Sequence, residues 1–221
     1  MRRLLVLGLA LTLTVALTAA SATADSSAQR SWRVTVENLA PAGSQPLSPP
    51  LFAVHGKRVD VWSVGGLANH GVAAIAEDAN NAVLESALGQ VAGVRDVFTG
   101  GGGAISPGES RSYTVDGRAG RDRLTLLTML VNTNDGFTGL DSLQLRAKRT
   151  VLHRMAYDAG SERNNELRAF IPGPCCNNPF ARDPEGALIA PHAGITGAGE
   201  LDPAVYGWDE PVARITVERM G

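Results

Sequence analysis

Cysteine is almost absent from this chain of 221 residues: it occurs only as the adjacent pair Cys175 and Cys176. A fold stapled by several disulfides is therefore excluded, and so is a C-x-x-C redox motif. Aromatic residues are also few, three Trp, three Tyr and five Phe, too few to line a long sugar-stacking cleft. There is no basic excess either, with 20 Lys and Arg against 22 Asp and Glu. Nucleic acid wants a basic face, so this balance argues against it and against simple electrostatic binding to anionic lipid. Several motifs are missing as well. The glycine run Gly100–Gly103 lacks the Lys-Ser/Thr ending of a phosphate loop, and no G-x-S-x-G elbow, H-E-x-x-H pair or EF-hand register occurs.

Long apolar runs are confined to the N-terminus. Arg2 and Arg3 precede an apolar stretch from Leu4 to Leu17, followed by the small residues Ala22-Thr23-Ala24. This order predicts a secretory signal peptide over residues 1–24, cleaved after Ala24. Nothing downstream is apolar enough to span a membrane. The chain from Asp25 onward would hold 197 residues, with 18 basic against 22 acidic side chains. Residues 25–30 are small and polar and read as a disordered leader, leaving 31–221 as one domain.

That domain reads as mainly β. Residues 32–39 alternate apolar and polar, as a half-buried strand does. Residues 41–50 form a Pro/Gly/Ser connection, and 51–55 a second strand. Residues 67–88 carry a helical spacing, with a break expected at Asn80-Asn81, so one or two short helices are inserted here. Residues 98–107 read as a glycine-rich loop and 110–115 as an alternating strand. The nearly all-apolar stretch 123–131 predicts a central strand buried on both faces. One more strand falls within 143–157, and 164–191 is loop-rich. Residues 211–219 close the chain as a strand, with a bulge expected near Ala213. Strands at both ends point to a single antiparallel sandwich whose first and last strands are neighbours.

Two short acidic segments carry the candidate chemistry. N-T-N-D-G-F-T-G-L-D covers Asn132–Asp141, and Y-D-A-G-S-E covers Tyr157–Glu162. Read as loops at strand ends, they would supply oxygen ligands for Ca²⁺, which takes six to eight oxygens at about 2.3–2.6 Å in irregular geometry. Asp135, Asp158 and Glu162 are the expected ligands, with Asn134 and Asn132 as additional amide donors. Gly160 lets the second turn tighten. The competing reading is that such acids cap turns, and Asp141 is assigned to that role.

The same residues carry a family resemblance. The order of strand 126–131, N-D-G-F-T-G-L-D-S-L, Y-D-A-G-S-E and the closing V-A-R-I-T-V-E-R resembles the spondin N-terminal domain, over roughly residues 31–220. The resemblance implies a C2-like β-sandwich that binds calcium, with Asp135, Asp158 and Glu162 at the acidic positions. Three departures stand out. Gly136-Phe137 replaces a Trp step, Glu162 replaces an Asp, and the cysteine pattern of the animal domains is missing.

The expected function is thus an exported, calcium-stabilised binding or adhesion module without catalysis, with an unidentified extracellular or cell-envelope ligand. Two alternatives remain open. One is a purely structural calcium with the partner bound elsewhere. The other is a small hydrolase that uses the acids (Asp158 and Glu162 as a glycosidase pair) or a loop histidine, His153 or His192. Trp208 is assigned to the edge of the core rather than to a sugar platform. For Cys175 and Cys176, Cα atoms about 3.8 Å apart sit below the usual disulfide range of roughly 4.4–6.8 Å. A vicinal bridge in a rigid turn, a free pair, an intermolecular bond and a metal-binding dithiol are all compatible with the sequence.

Overall fold

In the computed structural model, residues 29–177 and 181–221 are described. The expected signal peptide, residues 1–24, and residues 25–28 lie outside them. The chain runs β1 (Gln29–Asn38), β2 (Leu51–Gly56), α1 (His70–Asp78), α2 (Asn81–Leu88), β3 (Val94–Thr99), β4 (Ser110–Arg118), β5 (Asp122–Met129) and β6 (Gly136–Gln144). It continues through β7 (Thr150–Arg154), β8 (Tyr157–Asp158), β9 (Ala190–Pro191), α3 (Pro203–Tyr206) and β10 (Ala213–Arg219). The strands form two antiparallel sheets, ordered β4-β1-β10-β7 and β3-β2-β5-β6-β8-β9.

Alternation in the terminal strands decides their pairing. Trp32, Val34 and Val36 on β1, and Ala213, Ile215 and Val217 on β10, are all buried. The strands register Val34 against Val217 and Val36 against Ile215, so each apolar face is completed by the other. That face packs on Phe52, Val54, Leu124, Leu126 and Leu140 of the larger sheet. The opposite face of the larger sheet presents Leu51, Ala53, Leu127 and Phe137, which α1 and α2 cover with Val72, Ile75 and Leu84. Hence β2 and β5 read as continuous apolar runs: each is buried on both sides. Among the described residues, no helix is long and apolar enough to cross a membrane.

The helical break falls where expected. Asn69 caps α1 by accepting from the N–H groups of Gly71 and Val72. Ala79 ends it in the left-handed region, at φ 54°, and α2 starts at Asn81, whose amide holds Pro49 O at 2.8 Å.

Five expectations need correction. β1 begins at Gln29, two residues inside the expected leader. Val94–Thr99 is an edge strand, so Phe98 and Thr99 belong to β3 rather than to the glycine-rich loop. It lacks alternation because only part of each face is covered. Asn132–Asp141 is not one loop: the turn ends at Asp135 and Gly136 starts β6. Two glycines disguise this strand, and Gly139 is required because a Cβ there would strike the Leu126 carbonyl. Asp141 sits in a bulge of β6, where Leu140 pairs Leu126 and Leu143 pairs Leu124, rather than capping a turn. The β1–β10 register runs unbroken from Asn38↔Ala213, so there is no bulge at Ala213; Val212 breaks the alternation because it precedes the strand.

Candidate acidic site

The first acidic segment is a tight turn between β5 and β6. The Thr133 hydroxyl donates to Leu130 O at 2.6 Å and accepts the Gly136 N–H at 2.8 Å. This places Asp135 at the sheet end with its side chain fully buried. The second segment is not all loop: its first two residues are β8, which pairs with β6 through Gly136↔Asp158. The two acidic segments are therefore adjacent because their strands are.

Asp135 joins them. Its Oδ2 accepts from the Ser161 N–H at 2.8 Å, the Ser161 hydroxyl at 3.2 Å and the Glu162 N–H at 2.9 Å. Its Oδ1 is buried without a hydrogen-bond partner. Burial, reinforced by the charge of Asp158, pushes the Asp135 carboxyl up to about 7 against the pull of these donors. Asp158 is half-buried. Its Oδ1 accepts the Gly160 N–H at 2.6 Å, and Asn164 donates to its Oδ2. Gly160 holds φ +67°, and a Cβ there would lie 2.5 Å from Ala187 O. Only glycine allows this turn and the close approach of the 183–191 segment, which pairs through Ala187 N to Gly160 O at 2.7 Å.

Glu162 is 1% exposed, and neither of its oxygens accepts a hydrogen bond. Its Oε1 lies 3.2 Å from Arg182 Nε. Burial pushes this carboxyl up to about 8; the Arg182 charge opposes that shift, and Glu77, Asp135 and Asp78 add to it. The expected convergence of three acids is thus incomplete. Asp135 and Asp158 face one another electrostatically, while Glu162 turns to Arg182. Among the described residues, no group of three Asp, Glu, His or Cys side chains forms a ready cage for a metal.

The two asparagines separate. Asn132 serves the fold: its Oδ1 accepts the Cys175 N–H at 3.1 Å and its Nδ2 donates to Ser44 O at 2.6 Å. Asn134 Oδ1 accepts the Glu166 N–H at 3.3 Å, and its amide donates to Asn165. Cys175 and Cys176 are joined by a disulfide, in a turn that packs with Ile171, Ile195 and Leu201.

Two residues the sequence did not single out organise the surroundings. Arg182 pairs with Glu162, Glu77 and Asp78. Glu166 takes the Thr196 N–H, the Thr196 hydroxyl and the Gly197 N–H. Burial pushes the Glu166 carboxyl up, but donors from Thr196, Gly199 and Gly197 outweigh it and hold the group below the usual range. The only sequence signal was charge in a loop-rich stretch, which names no partner.

His153 and His192 make no hydrogen bond to the acids, although His192 is within electrostatic reach of Asp158 and Glu166. His153 is exposed on β7. The Nδ1 of His192 accepts the Gly194 N–H at 2.9 Å, so in the neutral ring the proton sits on Nε2, which is not free to ligate a metal. Burial lowers its pKa despite Asp158 and Glu166. Trp208 packs beside it, ring centroids 5.1 Å apart, and donates to Glu210.

The donor set here is oxygen alone, with orphaned carboxylate oxygens on Asp135 and Glu162. That chemistry fits a hard cation such as Ca²⁺ and does not favour a soft one.

The fold and this end of it define an antiparallel β-sandwich with a buried acidic end. The spondin N-terminal family model (Spondin_N) matches residues 40–165, more than half of the chain, and the chain belongs to that family. The match includes β2 to β8 with Asp135, Asp158 and Glu162, and it stops short of Arg182 and β10. No curated protein matches the sequence. Membership points to an extracellular binding or adhesion-type role.

Proposed function

We propose that this protein is an exported calcium-binding adhesion module, non-catalytic, in which Ca²⁺ orders the acidic end of the sandwich. The observation that carries this reading is Asp135: one oxygen ties the two acidic segments together, and the other is buried with nothing to meet it. Asp135 and Asp158 would hold the ion, with Glu162 as third donor. Calcium would supply the positive charge that offsets their mutual repulsion and desolvation. With the ion in place, the turns at 132–135 and 158–164 and the 183–191 segment would present a fixed recognition surface.

Export through residues 1–24 completes the proposal. A hydrolytic role is disfavoured by the partners of the acids. Asp158 is committed to Gly160 and Asn164, Glu162 faces Arg182, and neither hydrogen-bonds His153 or His192.

The test is the melting temperature in EGTA, in millimolar Ca²⁺ and in Mg²⁺. A rise specific to Ca²⁺ that grows with its concentration is expected from mass action on the native state. An unchanged melting temperature would reduce the acids to turn residues. Partner binding that survives calcium removal in the folded protein would assign the ion a structural role alone.

A further inference from the structure

Arg182 lies beyond the family match, in the segment that runs beside the second acidic turn, where Glu162 bridges Pro184 and Arg163 N–H bonds Asp183 O at 2.9 Å. Three carboxylates share its guanidinium. Nε lies 3.2 Å from Glu162 Oε1 and 3.2 Å from Glu77 Oε2, and Nη2 pairs with Asp78. Glu77 and Asp78 end α1, whose last turn has no basic residue of its own. Arg182 thus ties the third acid of the site to a helix on the outer face of the sheet.

The hold on Glu162 is incomplete. Nε carries one N–H and faces two carboxylates, and neither Glu162 oxygen gains a well-formed hydrogen bond although the side chain is 1% exposed. Three carboxylates (Glu77, Asp78 and Glu162) compete for this one guanidinium, and Asp135 adds its charge beside Glu162. If Glu162 swings away, Arg182 keeps Glu77 and Asp78, so no cation is left unpaired. The exchange leaves behind none of the uncompensated charge that makes breaking a buried pair costly.

We propose that Arg182 is the resident counter-cation of the acidic site: it holds Glu162 against α1 until Ca²⁺ arrives, and ion binding draws Glu162 from the guanidinium to the metal. This rests on the calcium reading above. Arg182 then acts as a positioning residue that sets calcium affinity through Glu162, and the end of α1 senses whether the ion is bound. The exchange also accounts for the unclosed cage: the third donor is parked on its internal competitor.

The test is a double-mutant cycle read by calorimetric titration of Ca²⁺ into metal-stripped protein: wild type, Arg182→Gln, Glu162→Gln and the double variant. Arg182→Gln should tighten Ca²⁺ binding by roughly tenfold when Glu162 is present and change it by less than about twofold when Glu162 is Gln. Equal tightening in both backgrounds would mean a general field effect and would overturn the proposal. Weaker binding in Arg182→Gln would also overturn it, since the arginine would then be presenting Glu162 to the ion. If Arg182→Gln folds poorly by circular dichroism, Glu77→Gln/Asp78→Asn replaces it in the same cycle with the opposite sign. That variant leaves Glu162 as the arginine's sole acid, so Ca²⁺ should bind more weakly only when Glu162 is present. A folded wild type that binds no Ca²⁺ rejects the calcium reading and this inference together. Binding without coupling between positions 162 and 182 rejects this inference alone.

Discussion

Asp122 and Asp135 are both fully buried aspartates at the ends of strands of the same sheet, and they are treated in opposite ways. Asp122 accepts Arg95 Nε at 2.6 Å, Arg118 Nη2 at 3.3 Å and the Arg118 N–H at 2.9 Å. Both of its oxygens are engaged and its charge is matched from within. Asp135 crowds three donors onto one oxygen, leaves the other bare, and faces a second carboxylate instead of a cation. A buried charge needs a partner. One end of the molecule carries its partner in the sequence, and the other, on the calcium proposal, takes one from solution.

The comparison predicts opposite responses to the same substitution. The largest effect belongs to Asp122→Asn, which leaves two arginines facing a neutral amide. It should cost about 2–3 kcal/mol, at the lower end for a broken buried pair because Arg95 and Arg118 are partly exposed. The loss should be equal in EGTA and in Ca²⁺, measured by urea unfolding. Asp135→Asn should do the reverse in EGTA. The amide oxygen can still accept the Ser161 and Glu162 N–H groups while the unmatched charge disappears, so stability should hold or rise by up to about 1 kcal/mol. The rise in melting temperature with Ca²⁺ should vanish.

A pH series sharpens the contrast. Folded Asp135 and Glu162 stand above their ordinary values of 3.8 and 4.5, at about 7 and about 8. A raised folded value means that the native state binds protons more tightly than the unfolded chain. The associated stability is present below the unfolded value and is lost as pH rises through the folded one. In EGTA the contribution of these two acids should therefore lower the melting temperature between about pH 4 and pH 8. With Ca²⁺ saturating, the ion replaces the protons and the slope should flatten or reverse. Glu166 works the other way, its folded value being lowered, and its contribution fades only below the ordinary carboxylate range.

The most local prediction concerns Gly160→Ala. The strain at φ +67° and the approach of Ala187 O should cost about 1–2 kcal/mol. Part of that cost should appear as faster hydrogen exchange in the 183–191 segment.

Much of this was legible in the sequence. Strict alternation in 32–38 and 213–217 specifies two half-buried strands that can complete each other, and the unbroken apolar run around Leu124–Leu127 marks a strand covered on both faces. Strand β6 was hidden because Gly136 and Gly139 erase the pattern where backbones crowd. Strand β3 was hidden because an edge strand needs no full apolar face. For the site, acids gathered among glycines pointed to Asp135 and Asp158, which the fold brings near one another. The Glu162–Arg182 pairing was invisible: its partners lie 20 residues apart in sequence, and local spacing says nothing about which loop folds back beside which. Asn132 was misleading for the same reason, since its amide serves Ser44 and Cys175 rather than the acids.

The most direct measurement is equilibrium binding of Ca²⁺ to metal-stripped wild type and to Asp135→Asn, with Mg²⁺ as control. The account predicts about one Ca²⁺ per chain in the wild type, much weaker Mg²⁺ binding, and loss of the ion in the variant. Wild-type protein that binds no Ca²⁺, or a variant that binds it equally well, would contradict it.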